Sequence, residues 1–311
     1  MKAILVRAYG GPEVLAMGEV PEPPAPGPGE VLVAVKAAGV NPVDVYLHTG
    51  QYTRKIALPY TPGSDAAGVV EAAGHGVFLK PGERVYVNAT GIYAQKVLVP
   101  ASRAWRLPDA LSFEQGAAIG VPYATAHRAL FHCGEARRGE TVLIHGASGG
   151  VGTAAVQLAK AAGLTVVGTA GGPEGVAFLE SLGVDRALDH RAPGYLDGVE
   201  PDLIVEMLAN QNLAEDLRVA KLRGRIVLIG SRGPIAIDPR VTMTKDLTVK
   251  GMSLFNVSEP ERAAIHADLA KGFASGALKP LIAARFPLAD AAKAHAAVMA
   301  PGARGKIVLL P

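Results

Sequence analysis

Apolar positions fall along this chain in two textures. Up to about residue 100 they come as short β-branched runs, at 31–40 (VLVAVKAAGV), 68–74, 84–90 and 96–100, each bounded by Gly, Pro, Asn or Asp. That spacing predicts short strands in a compact, barrel-like domain. The proline-rich stretch 21–30 reads as a stiff extended loop. From about residue 112 the pattern alternates. Nearly continuous apolar runs at 141–145, 165–169, 186–190, 202–207, 225–230 and 247–254 are separated by Ala/Leu-rich stretches of helical period. Six buried strands with helical crossovers predict a doubly wound parallel sheet. Ser112 precedes a helical stretch over 113–134, broken near Pro122. After residue 258 the reading is an Ala-rich helix (259–276) and a last strand (305–311). The sheet already has its six strands, so this tail is expected to return to the first domain. The expected organisation is 1–115 with 258–311, and 116–257 between them.

Composition narrows the class. The 311 residues are 49% hydrophobic and 19% charged, which supports a large core and argues against disorder. Net charge is +3 and no basic run reaches five residues, so nucleic acid is a poor primary ligand. The single cysteine, Cys133, allows no disulfide within the chain and fits a reducing compartment such as the cytoplasm. Nor can one cysteine build a thiolate zinc site. The N-terminal run is too short and too charged for a signal peptide, and no apolar stretch is long enough for a membrane span.

The chemistry concentrates in the run 141–163. A hydrophobic strand leads into Gly146-Ala147-Ser148-Gly149-Gly150-Val151-Gly152 and then an amphipathic helix. This is the dinucleotide-binding fingerprint with Ala in the first glycine slot. Its glycines let the backbone approach a pyrophosphate, whose charge the helix N-terminus offsets. An enzyme selecting NAD places an acid about 20 residues further on, at the end of the second strand. Here that strand ends at 168–172 (GTAGG), with Gly171 in the relevant place. The missing acid permits a 2′-phosphate and hence NADPH. His190 and Arg191, just after the third strand, are the candidate cations.

The glycine turn, 39–46 (GVNPVDVY), 61–74 (TPGSDAAGVVEAAG) and 116–130 together resemble the medium-chain dehydrogenase/reductases. Residues 206–213 (EMLANQNL), 230–233 and 238–255 resemble the quinone-reductase, zeta-crystallin branch in particular. The likeness runs in register over nearly the whole chain. It implies a GroES-like catalytic domain (1–115 and 258–311), a Rossmann domain (116–257) and NADPH in the cleft between them. Zinc-dependent relatives have Cys where this chain has Asn41, His-Glu where it has Ser64-Asp65, and a further Cys near Val121. Asn, Ser and Val make no zinc site, so hydride transfer must rest on positioning and hydrogen bonds.

By the same resemblance Asn41 and Tyr52 lie near the nicotinamide, where each can donate a hydrogen bond to the carboxamide or the acceptor oxygen; Asn41, Tyr46 and Tyr52 are the candidate catalytic residues. Ser148, Gly149, Gly150 and Val151 hold the diphosphate, and Gly171 and His190, with Arg191, flank the adenosine ribose. Asn212, Ile229, Gly230, Ser231, Arg232, Met252, Ser253 and Leu254 complete the groove. Tyr46, Tyr52 and Tyr60 come from a loop suited to the substrate wall. Asp44 and Asp65 are read as shaping polarity, with no acid–base role. The expected activity is NADPH-dependent reduction of a quinone. Reduction of an activated C=C bond in an enone or enoyl thioester is the alternative on the same hydride chemistry. A non-catalytic or RNA-binding role lacks a supporting motif. The run 247–255 reads as an apolar sheet edge, which a homodimer or dimer-based tetramer would cover.

Overall fold

The computed structural model describes residues 1–52 and 55–311. Its contacts divide the chain into two units, 1–121 with 279–311, and 122–278. The outer boundary differs from the sequence expectation. The helix after residue 258 belongs with the second unit, because its apolar residues Ile265, Leu269 and Phe273 are buried and the Phe273 ring meets Tyr123 at 5.1 Å.

In the first unit, β1 (Lys2–Leu5) pairs antiparallel with β2 (Ala16–Glu19). The long strand β3 (Glu30–Val40) leads into helix α1 (Pro42–His48). There follow β4 (Asp65–Ala73), β5 (Arg84–Asn88), β6 (Lys96–Pro100), β7 (Ala104–Arg106) and a short helix α2 (Phe113–Gly116). Strand β3 serves two partners along one edge. Its residues 30–34 pair with β6 and its residues 38–40 with the C-terminal strand. Its ladder with β4 shifts register near Val33 and Val35, and such irregularities bend and twist a sheet. Alternating apolar residues such as Val31, Val33, Val85, Val87, Val97 and Val99 fill the interior.

The second unit begins within α3 (Gly120–His127), whose Pro122 sits in the first turn, where a missing N–H costs nothing. The unit then alternates β8 (Thr141–Ile144), α4 (Gly150–Ala161), β9 (Thr165–Ala170), α5 (Gly172–Ser181), β10 (Arg186–Asp189), β11 (Leu203–Glu206) and α6 (Ala209–Val219). It continues through β12 (Arg225–Leu228), α7 (Pro239–Thr244), β13 (Thr248–Gly251) and α8 (Glu259–Ala274). Among the described residues these strands form one parallel six-stranded sheet, in the order β10-β9-β8-β11-β12-β13. This is the doubly wound Rossmann order, with its switch point between β8 and β11. The chain then returns to the first unit as β14 (Ile282–Pro287), α9 (Ala291–Met299) and β15 (Lys306–Leu310), with β15 beside β3. None of the described helices is long and apolar enough to cross a membrane.

Candidate functional site

In the second unit the glycine turn follows β8 and caps α4. Gly146 has a φ of +57°, in the left-handed region that glycine enters without strain. A Cβ on Gly152 would lie 2.2 Å from the Gly146 carbonyl oxygen and 2.6 Å from Ala147 Cα, so only glycine lets α4 pack this close to the turn. A Cβ on Gly149 would meet nothing nearer than 3.5 Å, which leaves open space above the helix start. The first-turn N–H groups of α4 have no partner within the helix. Ser148, Gly149, Gly150 and Val151 are half-buried there.

The other expected cofactor residues follow the C-terminal ends of the same strands. Gly171 follows β9, and an added Cβ would lie 3.2 Å from His190 Nε2. His190 and Arg191 follow β10; burial lowers the His190 pKa. Asn212 stands in α6 and donates to Glu206 Oε1 at 3.1 Å. Ile229 and Gly230 follow β12, with the Ile229 N–H on the Glu206 carbonyl at 2.8 Å. The Arg232 N–H bonds Asn210 Oδ1 at 2.8 Å, and the Ser231 hydroxyl bonds the Gly233 carbonyl at 2.8 Å. Met252, Ser253 and Leu254 follow β13, and Arg128 reaches the Ser253 carbonyl at 3.1 Å. Open α/β sheets bind ligands at this carboxyl edge. The open space at Gly149, above the α4 N-terminus, fits a dinucleotide's diphosphate.

One residue at this edge escaped the sequence reading. Asp189, at the end of β10, stands opposite Ala170 of β9. Its carboxylate accepts from the Gly172 N–H at 2.9 Å and the Arg191 N–H at 3.0 Å, and it pairs with the Arg191 guanidinium at 3.2 Å. Those backbone N–H groups hold its pKa below the usual carboxylate value. An acid is therefore present, supplied by the third strand, and Arg191 is shared with it.

Beneath the turn lies a sealed polar group. His145 Nε2 bonds Asp216 Oδ1 at 2.8 Å and lies 3.5 Å from Glu206 Oε2, and all three side chains are almost wholly buried. Glu206 also accepts from the Leu208 N–H. Burial raises the pKa of both carboxyls, to about 7 for each. Among the described residues these three are the group whose ligand atoms converge enough for a metal ion. Among the described residues Glu206 Oε2 and Asp216 Oδ2 have no hydrogen-bond partner, so bonds within the group satisfy each carboxyl only in part.

In the first unit Asn41 caps α1 and is 2% exposed. Its Nδ2 donates to Asp65 Oδ2 at 3.0 Å and its Oδ1 accepts from Lys306 Nζ. Lys306 also pairs with Asp65 at 3.3 Å. Burial lowers the Lys306 pKa, while Asp65 and Asp44 pull it back. Asp65 Oδ1 accepts from the Val121 N–H at 2.7 Å and from Asn88 Nδ2 at 3.0 Å. Asn41 was expected to donate to a ligand. Its amide is turned inward and both ends are engaged. Tyr46, on α1, and Tyr52 are half-buried, and the Tyr52 N–H bonds the Tyr46 carbonyl at 3.1 Å. Of the loop 49–55 that carries Tyr52, Thr53 and Arg54 lie outside the described residues.

Sequence reasoning also passed over a cavity of about 290 Å³ lined by Asp44, Tyr60, Thr61, Ser64 and Thr90. Its volume is at the small end of the range for small-molecule sites. The Ser64 hydroxyl lies 2.7 Å from Asp44 Oδ1, and the Asn41 N–H donates to Asp44 Oδ2 at 2.9 Å. Burial pushes the Asp44 pKa up to about 6 against the opposing pull of Ser64 and Lys306. Behind it, the Tyr93 hydroxyl lies 3.4 Å from Asp44 Oδ2 and 3.0 Å from His295 Nε2.

The positions where zinc relatives carry ligands do not fit a metal here. The Asn41 amide is committed, the Ser64 hydroxyl is tied to Asp44, and Val121 offers only a backbone N–H.

Comparison with known proteins agrees with this architecture. Residues 27–109 match the alcohol dehydrogenase GroES-like domain, and residues 150–269 match the zinc-binding dehydrogenase family. The chain is 45% identical to a quinone oxidoreductase of Rattus norvegicus, covering 100% of this chain and 98% of that protein. An Escherichia coli quinone oxidoreductase solved in complex with NADPH superposes with a TM-score of 0.89 at 30% identity, over 100% of both chains. The CurK enoyl reductase superposes with a TM-score of 0.91 at 25% identity, over 99% of both. The chain belongs to the medium-chain dehydrogenase/reductase family, in its quinone oxidoreductase (zeta-crystallin) branch.

Proposed function

We propose that this chain is a zinc-independent, NADPH-dependent quinone reductase. The observation that carries the reading is full-length identity of 45% to a quinone oxidoreductase, joined to an intact dinucleotide turn. When bound, NADPH supplies the hydride. The protein's part is to bind, orient and exclude water. The α4 N-terminus with Ser148, Gly149, Gly150 and Val151 holds the diphosphate. Gly171, His190 and Arg191 take the adenosine ribose and its phosphate. Asn212, Ile229, Gly230, Ser231, Arg232, Met252, Ser253 and Leu254 line the rest of the groove. Tyr46 and Tyr52 wall the acceptor. Asn41 acts as a positioning residue, since Asp65 and Lys306 hold its amide and its N–H holds Asp44.

Reduction of an activated C=C bond is the second reading, supported by the likeness to CurK enoyl reductase. It rests on lower identity than the quinone reading. The partner is a small conjugated carbonyl compound. A homodimer or dimer-based tetramer is supported by β13, an exposed edge strand of the parallel sheet. A cytoplasmic setting is supported by Cys133, a buried free thiol. The test is NADPH oxidation over a panel of quinones, enones and enoyl thioesters. Turnover with quinones is expected to exceed the others. Turnover with enoyl thioesters alone would replace this reading by the second.

A further inference from the structure

We infer that Asp44, acting through Ser64, delivers the proton that completes reduction of an acceptor seated in the cavity of the first unit. The inference rests on the quinone-reductase reading and adds to it the source of the proton. Hydride arrival places two electrons and one hydrogen on the acceptor and leaves an anionic oxygen. That oxygen must gain a proton for neutral hydroquinone to leave, and a site shielded from water has to supply it from a side chain.

Among the residues that line the cavity, two side chains titrate in a relevant way, Asp44 and Tyr60. Burial pushes the Tyr60 phenol up to about 12, so it is a poor acid near neutrality. Asp44, given no acid–base role from sequence alone, stands at about 6 once buried, so it can hold a proton and release it. A general acid works best when its pKa is near the working pH.

The geometry gives a route. Ser64 stands on the cavity wall with its hydroxyl 2.7 Å from Asp44 Oδ1, a distance that suits donation in either direction. With Asp44 protonated, its carboxyl donates to Ser64 Oγ and the serine hydrogen points into the cavity. Transfer then moves the serine hydrogen to the acceptor oxygen and the Asp44 hydrogen to Ser64. Asp44 is left as a carboxylate that accepts from Ser64 and from the Asn41 N–H at 2.9 Å. Water entering after product release restores the proton.

The groups facing Asp44 are consistent with this cycle. Lys306 on β15 stabilises the carboxylate, Asp65 on β4 opposes it, and Tyr60 and Tyr93 are neutral phenols. His295 on α9 lies behind Tyr93, and burial holds its pKa down to about 3. His48 on α1 is likewise lowered by burial. Burial disfavours the charged form of both imidazoles, which makes them poor competing acids.

The test uses the full chain with NADPH and a quinone from pH 5 to 9, comparing wild type with Asp44→Asn, Ser64→Ala and Ser64→Thr. Wild-type kcat is expected to fall as pH rises above about 6, as Asp44 loses its proton. Asp44→Asn and Ser64→Ala should each lower kcat by about 10²-fold and remove that limb, with NADPH binding unchanged. Ser64→Thr keeps the hydroxyl and should restore most of the rate. Should Asp44→Asn not fold, the two Ser64 variants carry the test alone. Wild-type turnover with variants that keep its rate and pH profile overturns this inference alone. No quinone turnover by wild type overturns the functional reading, and the inference with it.

Discussion

The two units each bury a charged network, and the networks differ in their outlet. In the second unit His145, Glu206 and Asp216 sit beneath the glycine turn, with side chains at most 3% exposed. In the first unit Lys306, Asp65, Asn41 and Asp44 form a comparable buried cluster, but Asp44 opens through Ser64 onto a cavity. Both clusters raise the pKa of a carboxyl by burial. The sealed group links the residue after β8 to β11 and α6. A group with an outlet can exchange its proton with a ligand. The same physical cost of burying charge therefore supports structure in one unit and chemistry in the other.

The largest effect should come from cutting the first network at its cation. Lys306→Met leaves Asp65 buried without its partner, which typically costs about 3–5 kcal/mol. Thermal melting should fall steeply, and an unchanged Tm would show that the pair contributes nothing.

The sealed network should register in the pH dependence of stability. Glu206 and Asp216 have folded pKa values raised toward about 7 from ordinary carboxylate values. The folded state thus binds more protons than the unfolded chain in that interval. The stability they contribute is complete below the unfolded values and is lost as pH rises through about 7. Glu206→Gln should flatten this slope by about 1–3 kcal/mol between pH 5 and 8. Identical slopes in variant and wild type would remove Glu206 from the account.

The carboxyl edge of the Rossmann sheet offers smaller and more specific changes. Gly171→Asp places a negative group beside the proposed 2′-phosphate site and should weaken NADPH by about 1–3 kcal/mol while sparing NADH. Equal losses for both cofactors would indicate a steric effect alone, since the added Cβ already approaches His190. Asp189→Asn should do the reverse and tighten NADPH a few-fold, because it frees the exposed Arg191 for phosphate. Titration by nicotinamide fluorescence reads both. No gain in NADPH affinity would mean that Arg191 does not face the phosphate.

Much of this arrangement was legible in the residues. The six strands of the parallel sheet are short, continuous apolar runs, and the turn at 146–152 carries its own mechanism in its glycines. That the zinc relatives' ligand positions are replaced could be read from Asn41, Ser64 and Val121. What could not be read depends on distant pairing. Lys306 reaches Asn41 across 265 positions of sequence, so neither residue announces the other. Asp189 lies outside the second strand, where acids that select NAD are sought, and reaches the same spot only through the β9–β10 register. The second unit extends through α8 because Phe273 and Glu261 find Tyr123 and Arg128, contacts that composition does not reveal.

The most direct test of the central claim is the steady-state oxidation of NADPH and of NADH with one quinone by the purified full-length chain. Turnover with NADPH is expected, with a kcat/KM for NADPH above that for NADH. Absence of turnover with either cofactor, or equal efficiency with the two, would contradict it.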